Sequence, residues 1–119
     1  MLNFQFVAKK NNHKQETHQL LEKFYESFFI DMYNELNIDP YRPLRDAIAN
    51  VLYKFTIDDH PMAYTGKLVM YIESKLVLED LHLTNEQREI LNQLRQLTKN
   101  INLSFVYQSP LTSFDQFVN

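Results

Sequence analysis

The chain has 119 residues, a formal net charge of −3, no cysteine and a single glycine, Gly66. That length suits one domain over 1–119 whose core needs no disulfide or metal, and the missing cysteines exclude a disulfide framework, a thiol nucleophile and a cysteine-based zinc site. The low glycine count argues against tight hairpins, phosphate-cradling loops and dinucleotide folds, and a hydrophobic content of 45% argues against disorder, so the composition points to an all-α domain.

In chain order, residues 1–14 read as an extended or disordered arm in which Phe4 and Phe6 are candidates to dock on the bundle and Lys9, Lys10 and Lys14 favour water. The start lacks the basic region, long apolar core and small-residue cleavage site of a secretory signal. No apolar run approaches the roughly 18 residues of a membrane span, so a cytoplasmic protein is expected. A first helix is expected over 15–36. Leu21, Phe24, Tyr25, Phe28, Met32 and Leu36 recur at three- and four-residue steps, with Glu22, Lys23, Glu26 and Asn34 off the stripe. Asn37-Ile38-Asp39-Pro40 ends it, because proline disfavours helix at the residue before it.

The second helix starts near Pro40 or Pro43, where proline is tolerated in a first turn, and carries Leu44, Ile48, Val51, Leu52 and Phe55 on one stripe. It stops in Thr56-Ile57-Asp58-Asp59-His60-Pro61, whose acidic pair reads as helix-start electrostatics for the next element. The third helix, about 61–81, is apolar on several sides. Leu68, Ile72 and Leu76 share one face, Met70, Val77 and Leu81 a second, Tyr71 and Leu78 a third. Such a helix is surrounded by neighbours or keeps a face for a partner. After a turn at Leu81-His82-Leu83-Thr84, Thr84 and Gln87 have the spacing of a capping box, and Ile90, Leu91, Leu94, Leu97 and Ile101 form the buried stripe of a fourth helix. So short a turn makes helices three and four antiparallel neighbours. The expected fold is therefore an antiparallel four-helix bundle. An aromatic C-terminal tail over 102–119, with Phe105, Val106, Tyr107, Leu111, Phe114 and Phe117, is expected to pack on it.

No catalytic set emerges, and the chain reads as non-enzymatic, without cofactor or metal. His13 and His18 are five apart and so do not share a helical face, while His60 and His82 fall in turns and no acid has zincin spacing to a histidine. The serines and threonines sit in caps or loops with no nucleophile elbow. Arg88, Asn92, Arg95 and Lys99 line one outward edge of the fourth helix; a plain solvated face is the simpler reading, and a basic stripe that meets an acidic partner or anionic headgroups is the other. The aromatic tail either completes the core or presents recognition anchors.

The run Lys75-Leu76-Val77-Leu78-Glu79-Asp80-Leu81-His82-Leu83-Thr84-Asn85-Glu86-Gln87, followed by leucines at helical spacing, is similar to the immunity proteins of class IIa (pediocin-like) bacteriocins, the enterocin A immunity group among them. The likeness is strongest over 67–100 and is limited to length and order of elements over helices one and two. It implies a cytoplasmic four-helix bundle that protects a Gram-positive cell from a pore-forming peptide. The protein would bind, from the inner membrane face, a mannose phosphotransferase permease complexed with the bacteriocin, as a monomer with peripheral membrane contact. The family places selectivity in its C-terminal half, here the turn at 81–84, helix four and the tail. The partner-binding residues expected on that outward edge and tail are Arg88, Arg95, Lys99, Phe105, Tyr107, Phe114 and Phe117. A small helical regulatory or nucleic-acid-binding module is the alternative. The acidic charge balance and a turn suited to antiparallel packing count against it. A small helical enzyme that converges arginines on a pocket would need more than Arg42, Arg45, Arg88 and Arg95.

Overall fold

The computed structural model describes the backbone of residues 2–30 and 33–101 and the side chains of residues 12–30 and 33–101. These residues form four α-helices, α1 (Leu2–Ser27), α2 (Arg42–Thr56), α3 (Pro61–Leu78) and α4 (Asn85–Thr98), with a single 3₁₀ turn at Asp39–Tyr41 ahead of α2. The all-α fold read from composition is thus observed. Met32, Leu111 and the rest of the aromatic tail lie outside the described residues.

Both boundaries of the first helix differ from expectation, and the third helix ends at Leu78 where about Leu81 is expected. Helix α1 begins at Leu2, so the segment expected as an arm is helical; no glycine or proline interrupts Leu2–Ser27. The same helix stops at Ser27, not near Leu36. The Ser27 hydroxyl bonds back to the Phe24 carbonyl, and the amides of Phe28 and Phe29 turn to the carbonyls three residues back, Tyr25 and Glu26. The tighter turn ends the helical ladder while the apolar spacing runs on in the sequence. Phe28 still reaches the core, but Leu36, expected on the buried stripe, is 95% exposed.

Pro40 and Pro43 each open a helical element, the first the 3₁₀ turn and the second α2. Helices α2 and α3 both end around an aspartate in the left-handed region, α3 with both hydrogen bonds of a Schellman motif and α2 with the longer one. At α3 the Leu81 amide bonds the Leu76 carbonyl (3.0 Å) and the Asp80 amide the Val77 carbonyl (3.4 Å), with Asp80 at φ 51°. At α2 the Asp59 amide bonds the Lys54 carbonyl (3.0 Å) with Asp58 at φ 53°. The Asp58-Asp59 pair therefore ends α2, which corrects its reading as a helix-start signal; the N-cap of α3 is His60, whose side chain makes no capping bond. Among the described residues Asp58, His60 and Asp80 are the non-glycine positions with positive φ, types that enter that region more readily than most. Gly66 lies buried inside α3.

Each helix packs on the one before it, and α1 closes the ring on α4. Between α1 and α2 the contacts run in opposite order along the two helices: Phe29, just past α1, lies under the early Arg45, and His18 further back stacks on the late Phe55. Lys54 near the end of α2 covers Tyr64 near the start of α3, and Ser27 at the end of α1 meets Gln87 near the start of α4. Neighbours that run in opposite directions produce this pattern. One apolar cluster fills the centre. Leu21, Phe24 and Phe28 of the α1 side face Leu44, Ile48 and Val51 of α2, Leu68 and Ile72 of α3, and Ile90, Leu91 and Leu94 of α4.

Candidate functional site

The α3–α4 hairpin is the segment from which functional residues are expected. Its fourth helix starts on a capping box. The Gln87 amide donates to Thr84 Oγ1 (3.1 Å) and the Thr84 amide donates to Gln87 Oε1 (2.9 Å). Gln87 does more than cap. It is fully buried, its Oε1 also accepts from the Tyr33 hydroxyl (3.1 Å), and its Nε2 donates to Ser27 Oγ (2.9 Å). One side chain thus ties the start of α4 to the end of α1 and to the connection that follows it. Beside it, the Tyr41 hydroxyl donates to the His82 carbonyl (3.1 Å) and lies 3.3 Å from the His82 amide, which joins the α1–α2 connection to the hairpin turn. Phe28, Tyr33 and Tyr41 stack as a group around this junction. Burial raises the Tyr33 phenol above its ordinary range, partly countered by the Gln87 hydrogen bond. The sequence pattern reveals the cap but not this second role.

Arg88, Asn92, Arg95 and Lys99 all lie exposed on the edge where they are expected. The edge is less cationic than the sequence suggests. Arg95 Nε lies 2.9 Å from Glu73 Oε1 of α3 and its Nη1 donates to Asn92 Oδ1 (2.7 Å), while Arg88 donates to Asn85 Oδ1. Arg95 therefore staples the hairpin along its length. Phe105, Tyr107, Phe114 and Phe117 lie outside the described residues.

Of the two alternatives for the third helix, burial by neighbours and an open face, its last turn takes the second: Val77 and Leu78 are 81% and 69% exposed, beside Glu73 and Ser74 on a shallow open surface. The sequence signal for them was the third helix's several apolar faces. Across the same end of the bundle, Phe29, Ile30 and Leu36 of the α1–α2 connection are also exposed.

Several charged groups elsewhere have structural partners. Lys54 is buried, 3.5 Å from Asp59 and 4.5 Å from the Tyr64 ring centre. A hydrogen bond from His60 and the Lys54 ammonium hold the Asp59 carboxyl below its usual range. Asp58 pairs with Lys14 of α1 at 2.6 Å. His18 lies 3.4 Å from Glu22 while it stacks on Phe55. Among the described residues, no group of three or more histidine, aspartate or glutamate side chains is placed to hold a metal ion. No helix among them is long and apolar enough to cross a membrane. Comparison with known proteins adds nothing to this geometry, since no family model, curated protein or solved structure matches the chain.

Proposed function

We propose that this protein is a bacteriocin immunity protein, a stoichiometric binder without turnover. It protects the producing cell from a pore-forming class IIa peptide by engaging the bacteriocin–receptor complex from the cytoplasmic side. The observation that carries this reading is the α3–α4 hairpin. Its turn sequence bears the resemblance, and its outer edge is held in one geometry by the Thr84–Gln87 cap and the Arg95–Glu73 pair while Arg88, Lys99 and the α3 tip stay open to a partner. A preformed surface loses less conformational entropy on binding than one ordered at that moment.

The partner is the membrane component of a mannose phosphotransferase permease with the peptide bound. Its recognition by Arg88 and Lys99, and by Phe105, Tyr107, Phe114 and Phe117 of the tail, follows the same reading. The test is co-purification from solubilised membranes of a sensitive strain. A tagged copy should retain the permease when the bacteriocin is present and lose it when the peptide is omitted. Reversing Arg88 and Lys99 to glutamate should weaken retention. A tagged copy that retains no permease under either condition refutes the proposal.

A further inference from the structure

We infer that the outward face of α3 is the docking site of the chain's own C-terminal segment, residues 102–119. Helical phase sorts the α3 side chains into faces. Leu68 and Ile72 lie in the core, Tyr64 lies against Lys54 of α2, and Glu73 pairs with Arg95 of α4. The side opposite the core falls to Ala63, Lys67, Met70, Ser74 and Val77, one stripe at three- and four-residue steps. On the outside of a four-helix bundle such a stripe meets water. Here it does so only at its far end. Ala63 is 5% exposed and Lys67 0%, Met70 and Ser74 are half-buried, and Val77 is 81% exposed. Gly66, buried beside Lys67, lets another backbone approach closely.

Elimination and reach name the occupant. Helix α1 packs on α2 and α4, on the far side of the core, and its backbone is helical from Leu2. The α1–α2 connection meets the hairpin turn through Tyr41 and His82, at the end of the bundle away from Ala63. The short α2–α3 turn closes back on α2 through the Lys54–Asp59 pair. Residues 102–119 remain. With Arg95 against Glu73 in antiparallel helices, Ile101 falls at about the level of Lys67, so the chain leaves α4 beside the buried part of the stripe. Ala63 to Met70 spans about 10 Å of helix, which about three extended residues cross. Chemistry agrees. Burial lowers the Lys67 ammonium below its ordinary range, and a buried ammonium is costly unless acceptors meet it. The segment brings aromatic surface, hydroxyls and the Asp115 carboxylate, and it contains no lysine, arginine or histidine to repel Lys67. This inference goes beyond the proposed function and does not depend on it: it concerns what covers α3, whatever the outer surface then meets.

The test is isotope-edited NMR of the full chain. Methyl protons of Ala63 and Met70 should show nuclear Overhauser contacts to protons of residues 102–119 in the same molecule. Thiol accessibility gives a second reading, because the chain has no cysteine and each introduced one is unique. The Met70→Cys thiol should react with a maleimide about tenfold more slowly than the Val77→Cys thiol, since it reacts only when the cover opens. Adding Phe105→Ser, Tyr107→Ser, Phe114→Ser and Phe117→Ser to the Met70→Cys chain should bring its rate up to that of Val77→Cys. Four results overturn the inference: methyl contacts from Ala63 and Met70 only to residues before 102, contacts that arise from a second copy in a mixed labelled and unlabelled sample, equal reactivity of the two thiols, or a Met70→Cys rate that the four serines leave unchanged.

Discussion

Gln87 joins a helix cap to a long-range contact, and its two functions predict different losses. A residue that only capped α4 would cost about 1 kcal/mol on truncation. Gln87→Ala also strips partners from the Tyr33 hydroxyl and Ser27 Oγ, both part-buried, so we expect a loss of about 2–3 kcal/mol in denaturant unfolding. Thr84→Ala removes the cap alone and should lose about 1 kcal/mol. Tyr71 offers a test of the core by pH. Burial, with smaller contributions from Glu79 and Asp46, pushes its phenol up to about 12 from an ordinary value of 10.0. Between those values the native chain keeps a proton that the unfolded chain has lost, so stability falls as pH rises through that window. Tyr71→Phe should flatten this alkaline decline, measured as melting temperature against pH.

At the scale of elements, the two Schellman endings make opposite demands on one residue type. Asp80 sits at φ 51°, and its ion-pair partner among the described residues is the exposed His82, 3.5 Å away. An exposed pair of this kind contributes little. Asp80→Gly should therefore stabilise the hairpin by about 0.5–1 kcal/mol, and Asp80→Val should destabilise it, as read by thermal unfolding. The α2 ending replaces the usual apolar contact of this motif with the Lys54–Asp59 pair. The Asp59 carboxyl is depressed, so its stabilisation is present above the ordinary carboxylate value and is lost as pH falls through its native pKa. Asp59→Asn should be less stable than the native sequence at neutral pH, with the difference closing below about pH 4.

These endings also show what the sequence makes legible. The hairpin turn, the capping box and the stripes of α2 and α4 depend on neighbours within a turn or two along the chain, and they are where periodicity and spacing place them. The stop of α1 at Ser27 is hidden, because Phe28 and Leu36 continue the helical spacing while the chain has already turned toward Tyr33, Tyr41 and Gln87. Asp58-Asp59 next to Pro61 resembles a helix start until backbone angles assign it to the preceding helix. Of the candidate residues, the outward placement of Arg88, Arg95 and Lys99 follows from helical phase. The capture of Arg95 by Glu73 does not, since it depends on how two helices lie against each other.

For the whole molecule, one continuous core joins all four helices, so its loss should be cooperative. Phe24 of α1 and Leu94 of α4 are both fully buried in that core. Phe24→Ala and Leu94→Ala should each cost about 2–5 kcal/mol and shift a single transition without splitting it. The edge along α4 that carries the proposed immunity function is held in place by the Arg95–Glu73 pair, so the proposed binding needs no change of shape. The most direct measurement of that central claim is survival of a bacteriocin-sensitive strain expressing this chain, challenged with a panel of class IIa bacteriocins that includes any encoded beside its gene. At least one peptide should lose its killing activity, and Arg88→Glu with Lys99→Glu should restore it; undiminished killing by every peptide of the panel, with the protein expressed and folded, refutes the immunity function.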